Sequence, residues 1–181
     1  MLFSRINVLL FALTATAGAV ISMGSQAADV DNITMNFTGE IRASTCDVGT
    51  LSSDQTVVLG DISTTLFNTP GDMSPARPFS ISLSCPEGGP EQASVTFSGQ
   101  ASTDSTLLAL DDDPGGASGV AVQIAESDGT KVSLGTNSAT KSLVSGENVL
   151  NFTARYQSLV ERSAITPGVA NATSQFTINY P

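Results

Sequence analysis

The chain has 181 residues, a formal net charge of -10, two cysteines, and no histidine or tryptophan. A Ser-His-Asp triad is therefore excluded, and nucleic acid is a poor partner, because phosphate binding needs clustered Lys and Arg and the seven basic residues here are scattered. An apolar content of 40% with only 13% charged residues suits one packed core, not a disordered chain.

The N-terminus reads as an export signal. Arg5 supplies the positive end, Val8 to Val20 the apolar stretch, and Ser25-Gln26-Ala27 the small residues of a cleavage site after Ala27. The apolar stretch is short of the ~20 residues a spanning helix needs. No later segment could span a membrane, so no integral membrane segment is expected after cleavage. A polar stretch, Asp29-Val30-Asp31-Asn32, follows. Then Ile33, Met35, Phe37, Gly39 and Ile41 alternate with Thr34, Asn36, Thr38 and Glu40. That is a strand pattern with a long apolar face, in a terminal position that frays unless something holds it. The phase changes before Cys46, which predicts a break or bulge there. The expected organisation is a signal peptide over 1–27, an N-terminal extension over 28–41 and one domain over 42–181.

Export places Cys46 and Cys85 in an oxidising compartment, where a single pair becomes a disulfide. A chain-entropy estimate for a loop of roughly 40 residues is ~4 kcal/mol. The alternatives are a zinc site, poor without histidine, and a catalytic thiol, which lacks its usual base.

The rest of the chain predicts short strands. Phe79, Ile81, Leu83 and Cys85 alternate with serines, and Val95 and Phe97 sit among Ser94, Thr96 and Ser98. Val120, Val122 and Ile124 share one face, as do Leu150, Phe152, Ala154 and Tyr156, and as do Phe176, Ile178 and Tyr180. Pro70-Gly71, the Pro86–Pro90 run and Asp111–Gly116 separate them, and Asp128-Gly129 predicts a hairpin between Ile124 and Val132. No amphipathic helix exceeds a turn or two. The expected fold is all-β, a sandwich of immunoglobulin type. The last strand stops at the chain end, which would leave an unpaired edge. Asp111-Asp112-Asp113 lacks the spacing of a calcium loop and reads as a solvated turn. No phosphate loop, dinucleotide fingerprint or picked-out carboxylate pair is present, so no enzyme, cofactor or metal is expected.

Taken together, these residues resemble the type 1 fimbrial subunits (pilins) of the chaperone–usher pathway, over nearly the whole mature chain. The resemblance rests on Phe37-Thr38-Gly39-Glu40-Ile41 before Cys46, on Val58-Leu59-Gly60 and Phe79–Cys85 as the next strands, and on Ala154-Arg155-Tyr156, Thr166-Pro167-Gly168 and Ala172 through the penultimate Tyr180. It implies an incomplete immunoglobulin-like fold that lacks its last strand. A periplasmic chaperone would fill the groove first, recognising Gly168, Phe176, Ile178 and Tyr180. An outer-membrane usher would then promote exchange for the arm of the next subunit, with Ile33, Met35, Phe37, Gly39 and Ile41 as donor positions. The implied location is a surface fimbrium, reached through the periplasm, with neighbouring pilin subunits as partners. A minor or adaptor subunit is the nearest alternative, and a monomeric secreted immunoglobulin-like binding module the next.

Overall fold

Alternation of apolar and hydroxyl residues builds the fold. In Arg77–Cys85 (β2), Ile81, Leu83 and Cys85 are buried, and the serines between them turn the other way. Gly146–Ser158 (β7) does the same with Leu150, Phe152, Ala154 and Tyr156, and pairs antiparallel with β2 from Arg77↔Ala154 to Cys85↔Gly146. The computed structural model describes residues 45–181. The predicted signal peptide, the alternating positions Ile33, Met35, Phe37, Gly39 and Ile41, and residues 42–44 of the predicted break before Cys46 lie outside the described residues.

Around this pair a five-stranded sheet forms, in the order β1-β2-β7-β4-β5, with Asp47–Val48 (β1), Val120–Glu126 (β4) and Lys131–Val132 (β5). A three-stranded sheet, β6-β3-β8, consists of Lys141–Ser142 (β6), Gln92–Gly99 (β3) and Ser174–Asn179 (β8). Both sheets are antiparallel. Helical structure among the described residues is limited to the turn Thr50–Ser53 and two 3-10 turns, Thr64–Leu66 and Arg162–Ala164. The architecture is the expected all-β immunoglobulin-like sandwich. The Asp128-Gly129 hairpin also forms as read: Ile124 pairs with Val132, Gly129 has φ 91°, and Asp128 accepts from the Thr130 amide.

Three phenylalanines join the sheets. Phe152 of β7 lies edge-on to Phe97 of β3, with ring centroids 5.1 Å apart, and stacks on Phe79 of β2 at 5.7 Å. Edge-to-face and offset contacts of this kind match the positive rim of one ring to the negative face of another. At the far end of β4, buried Glu126 makes a second tie between sheets. One carboxylate oxygen accepts from the Ala139 amide at 2.8 Å, and the other lies 3.2 Å from Lys141 Nζ on β6.

One expected strand is absent. Val58-Leu59-Gly60 is not in a sheet, and among the described residues Gln55–Ile62 makes no backbone–backbone hydrogen bond. Gly60 has φ 84°, a left-handed conformation that interrupts an extended run, and a strand needs a partner for its ladder. Its apolar side chains are nevertheless used: Val57, Leu59 and Ile62 lie partly buried against the core.

Candidate functional site at the last strand

β8 carries the chemistry of interest because it is only half used. Its inner edge pairs with β3, from Ser94↔Asn179 to Gly99↔Ser174. Its outer edge has no strand partner among the described residues. A strand edge of this kind presents a row of backbone donors and acceptors to any extended segment that approaches it. The side chains are half used in the same way. Phe176, Ile178 and Tyr180 pack on the core cluster of Ile81, Leu83, Val95, Phe97 and Phe152, yet each stays partly exposed. Fully buried strands elsewhere in the fold show what is missing: Val95 and Leu83 are 0% exposed.

The approach to β8 is held firmly. Tyr156 of β7 donates its hydroxyl to the Ala170 carbonyl at 2.7 Å. Burial raises the Tyr156 hydroxyl above the usual phenol range, so it stays protonated and able to donate. Asp111 accepts from both the amide and the hydroxyl of Thr173, at 3.1 and 3.0 Å, and its own amide donates to the Asn171 carbonyl at 2.8 Å. The acidic turn read as solvated thus has a second task, bracing the entry to β8. No local pattern signals this, because Asp111 and Thr173 lie 62 residues apart.

The candidate positions fall into three groups. Phe176, Ile178 and Tyr180 stand together on the inward face of β8, with Phe176 opposite Phe97 and Ile178 opposite Val95. Tyr180 Oη also reaches to 3.4 Å from the Cys46 carbonyl oxygen, and burial raises its hydroxyl as well. Cys46 and Cys85 are joined as a disulfide, which ties the start of the described chain to the end of β2. Gly168 stands apart from β8, in a bend between two bridges, Ser118↔Thr166 and Gly116↔Val169. Its need is for space. A Cβ there would overlap the Gly115 carbonyl oxygen and lie 2.6 Å from the Gly116 carbonyl carbon and 2.7 Å from the Ala117 nitrogen. Gly168→Ala is expected to destabilise the domain by about 1–3 kcal/mol, the usual cost of overpacking, read as a lower midpoint in urea with an unchanged slope. An unchanged midpoint would mean that the two backbones separate freely.

No group of three or more potential metal-ligating side chains occurs among the described residues. A cleft of about 310 Å³ is lined by Ser127, Lys141, Ser142 and Asn148–Asn151.

Comparison with known proteins points the same way as the edge geometry. The sequence profile described as "Fimbrial protein" matches residues 35–181. The chain is 38% identical over 175 residues to the probable major fimbrial subunit LpfA of Escherichia coli O157:H7, with 94% of each chain covered. It is 36% identical over 172 residues to long polar fimbria protein A of Salmonella typhimurium, again covering 94% of each. Among solved structures, an antigen and type I fimbria protein of Burkholderia pseudomallei superposes with a TM-score of 0.58 at 31% identity, covering 81% of this chain and 96% of that one.

Proposed function

Because this chain belongs to the fimbrial protein family, we propose that it is a structural subunit of a bacterial surface fibre and polymerises by lending its 28–41 segment to the β8 edge of a neighbour. The observation that supports this reading is the half-used last strand: a backbone edge with no strand partner among the described residues, beside Phe176, Ile178 and Tyr180, all partly exposed. The matching half is in the sequence. Ile33, Met35, Phe37 and Ile41 share one face of an extended segment, and Gly39 leaves a gap suited to a close backbone approach. Backbone hydrogen bonds supply generic affinity, and the alternating side chains set register. One subunit gives its arm while its own edge receives another, so the contact is heterologous and open, and it generates a filament.

The same edge would need cover before assembly. A periplasmic chaperone pairing with β8, followed by exchange at an outer-membrane usher, meets that need. Gly168 serves indirectly, by letting the segment before β8 pack closely. A shaft role is favoured over a minor or adaptor one by the full-length match to a relative named a probable major subunit. The chain acts as scaffold, with no catalytic step.

Phe37→Arg tests this in cells. A charge placed in an apolar groove is costly unless paired. The variant is expected to be exported and disulfide-bonded yet to give no surface fibres. Normal fibres from Phe37→Arg would overturn the reading.

A further inference from the structure

Three buried serines share one arrangement at the edges of the sheets. Several ladders stop before the strand they serve has ended: β1 covers β2 only at Leu83 and Ser84, β6 covers β3 only at Gln92 and Ala93, and β2 reaches along β7 only to Ala154. Just past each stop, a serine hydroxyl accepts from the next strand amide. Ser52 Oγ accepts from Ser82 at 2.9 Å, Ser138 Oγ from Val95 at 2.9 Å, and Ser74 Oγ from Tyr156 at 3.0 Å. The carbonyl of the same strand residue is taken by a backbone amide: that of Gly49 for Ser82, of Ser138 for Val95, and of Ser74 for Tyr156, at 2.8, 2.8 and 2.9 Å. Ser52, Ser74 and Ser138 are all buried.

A strand residue offers its neighbour one amide and one carbonyl. Ser74 and Ser138 reproduce that pair with their own amide and hydroxyl, so each fills a ladder position without lying in a strand. An incoming segment would have to displace these bonds before it could pair. On β2 the closure runs further. Gln55 Nε2 donates to the Ser80 carbonyl at 3.2 Å, and Pro78, next in the same phase, has no amide hydrogen to offer. Glu147–Asn151 of β7 lies past the end of β4 and has no such serine, but there Glu147 would meet an arm that carries Asp29, Asp31 and Glu40, and like charges across a strand pair repel. β8 differs from all of these. Among the described residues, only β3 pairs with the backbone of Ser174–Asn179.

We propose that Ser52, Ser74 and Ser138 are specificity-determining residues for strand addition: they close the edges of β2, β7 and β3 and leave β8 to take the arm, so that each subunit receives a single strand and the fibre does not branch. The proposal rests on the fibre reading above. It answers a need that reading creates, because backbone pairing is generic and does not by itself choose among edges. A subunit that received two arms would start a second filament, since every arm belongs to a subunit with an edge of its own. Replacing Ser52 by alanine leaves the Ser82 amide without its partner, which is costly for a group withdrawn from water. An arm laid along β2 would restore that bond.

The test uses assembled fibres of the full chain, incubated with a labelled synthetic peptide spanning Asp29 to Ile41 and imaged by electron microscopy. Wild-type fibres, whose β8 edges are filled, are expected to be unbranched and to carry label only at their ends. Ser52→Ala/Gln55→Ala, which frees the Ser82 amide and the Ser80 carbonyl, is expected to give branch points and label along the length. Ser138→Ala, which opens an edge of the other sheet, is expected to do the same. Ser158→Ala is the control: it removes a buried hydroxyl bond to the Thr69 carbonyl, 2.6 Å long, but frees no strand amide. Its fibres are expected to resemble wild type. Where the double variant is too unstable to assemble, Ser52→Ala alone is read in the same way. Unbranched, end-labelled fibres from the Ser52 and Ser138 variants, or equal lateral label on Ser158→Ala, overturn the proposal. Failure of the wild type to form fibres at all would instead strike the fibre reading.

Discussion

Replacing Phe152 by alanine is expected to lower the stability of the folded domain by about 3–5 kcal/mol. The ring is 1% exposed and sits where the two sheets meet, between Phe79 of one and Phe97 of the other. Its removal takes away the buried transfer energy of the ring. It also leaves a cavity that two antiparallel sheets, fixed by their ladders, cannot collapse to fill. For a domain of this size the loss corresponds to a fall in Tm of roughly 10–20 °C, measurable by circular dichroism with the disulfide intact. Phe152→Leu, which keeps much of the volume, is expected to cost far less. A fall of only a few degrees for Phe152→Ala would mean that the aromatic cluster does not hold the sheets together.

That cluster could be read from the sequence only in part. Phe79, Phe97 and Phe152 each occupy the apolar phase of a strand whose other phase is mostly polar, so each is identifiable as inward-facing. The five longer strands were legible for the same reason. The two-residue strands β1, β5 and β6 were not, since two residues carry no period; β5 follows only as the return of the Asp128-Gly129 hairpin. The strand that the resemblance implied at Val58-Leu59-Gly60 does not form, because a strand needs a partner and none of the described residues supplies one. The braces at Asp111–Thr173 and Glu126–Lys141 join residues far apart in sequence, where neither period nor motif reaches.

The candidate site divides similarly. The inward phase of Phe176, Ile178 and Tyr180 was legible. Their incomplete burial is a property of topology: it arises because β8 lies at the end of the order β6-β3-β8. Gly168 stood out only through the resemblance, and the reason that glycine is required comes from the backbone of residues 115–117, which only the folded chain brings near.

The second large effect concerns the free edge itself. Burying Ile33, Met35, Phe37 and Ile41 would contribute ~1.5–3 kcal/mol per side chain before the costs of ordering an extended segment. A net gain of several kcal/mol would then be available to a domain that receives the strand. Binding to the native state alone stabilises by mass action: at a peptide concentration of about 1,000 times Kd the gain is about 4 kcal/mol, equivalent to a rise in Tm of roughly 10–20 °C. The most direct measurement is therefore a thermal melt of the disulfide-bonded chain from Arg42 to Pro181, with and without a synthetic peptide spanning Asp29 to Ile41. The account predicts a large, concentration-dependent rise in Tm, lost when the peptide carries arginine in place of Phe37. A stable domain whose Tm is indifferent to the peptide would contradict it, because a sandwich that needs no added strand has no edge through which to build a fibre.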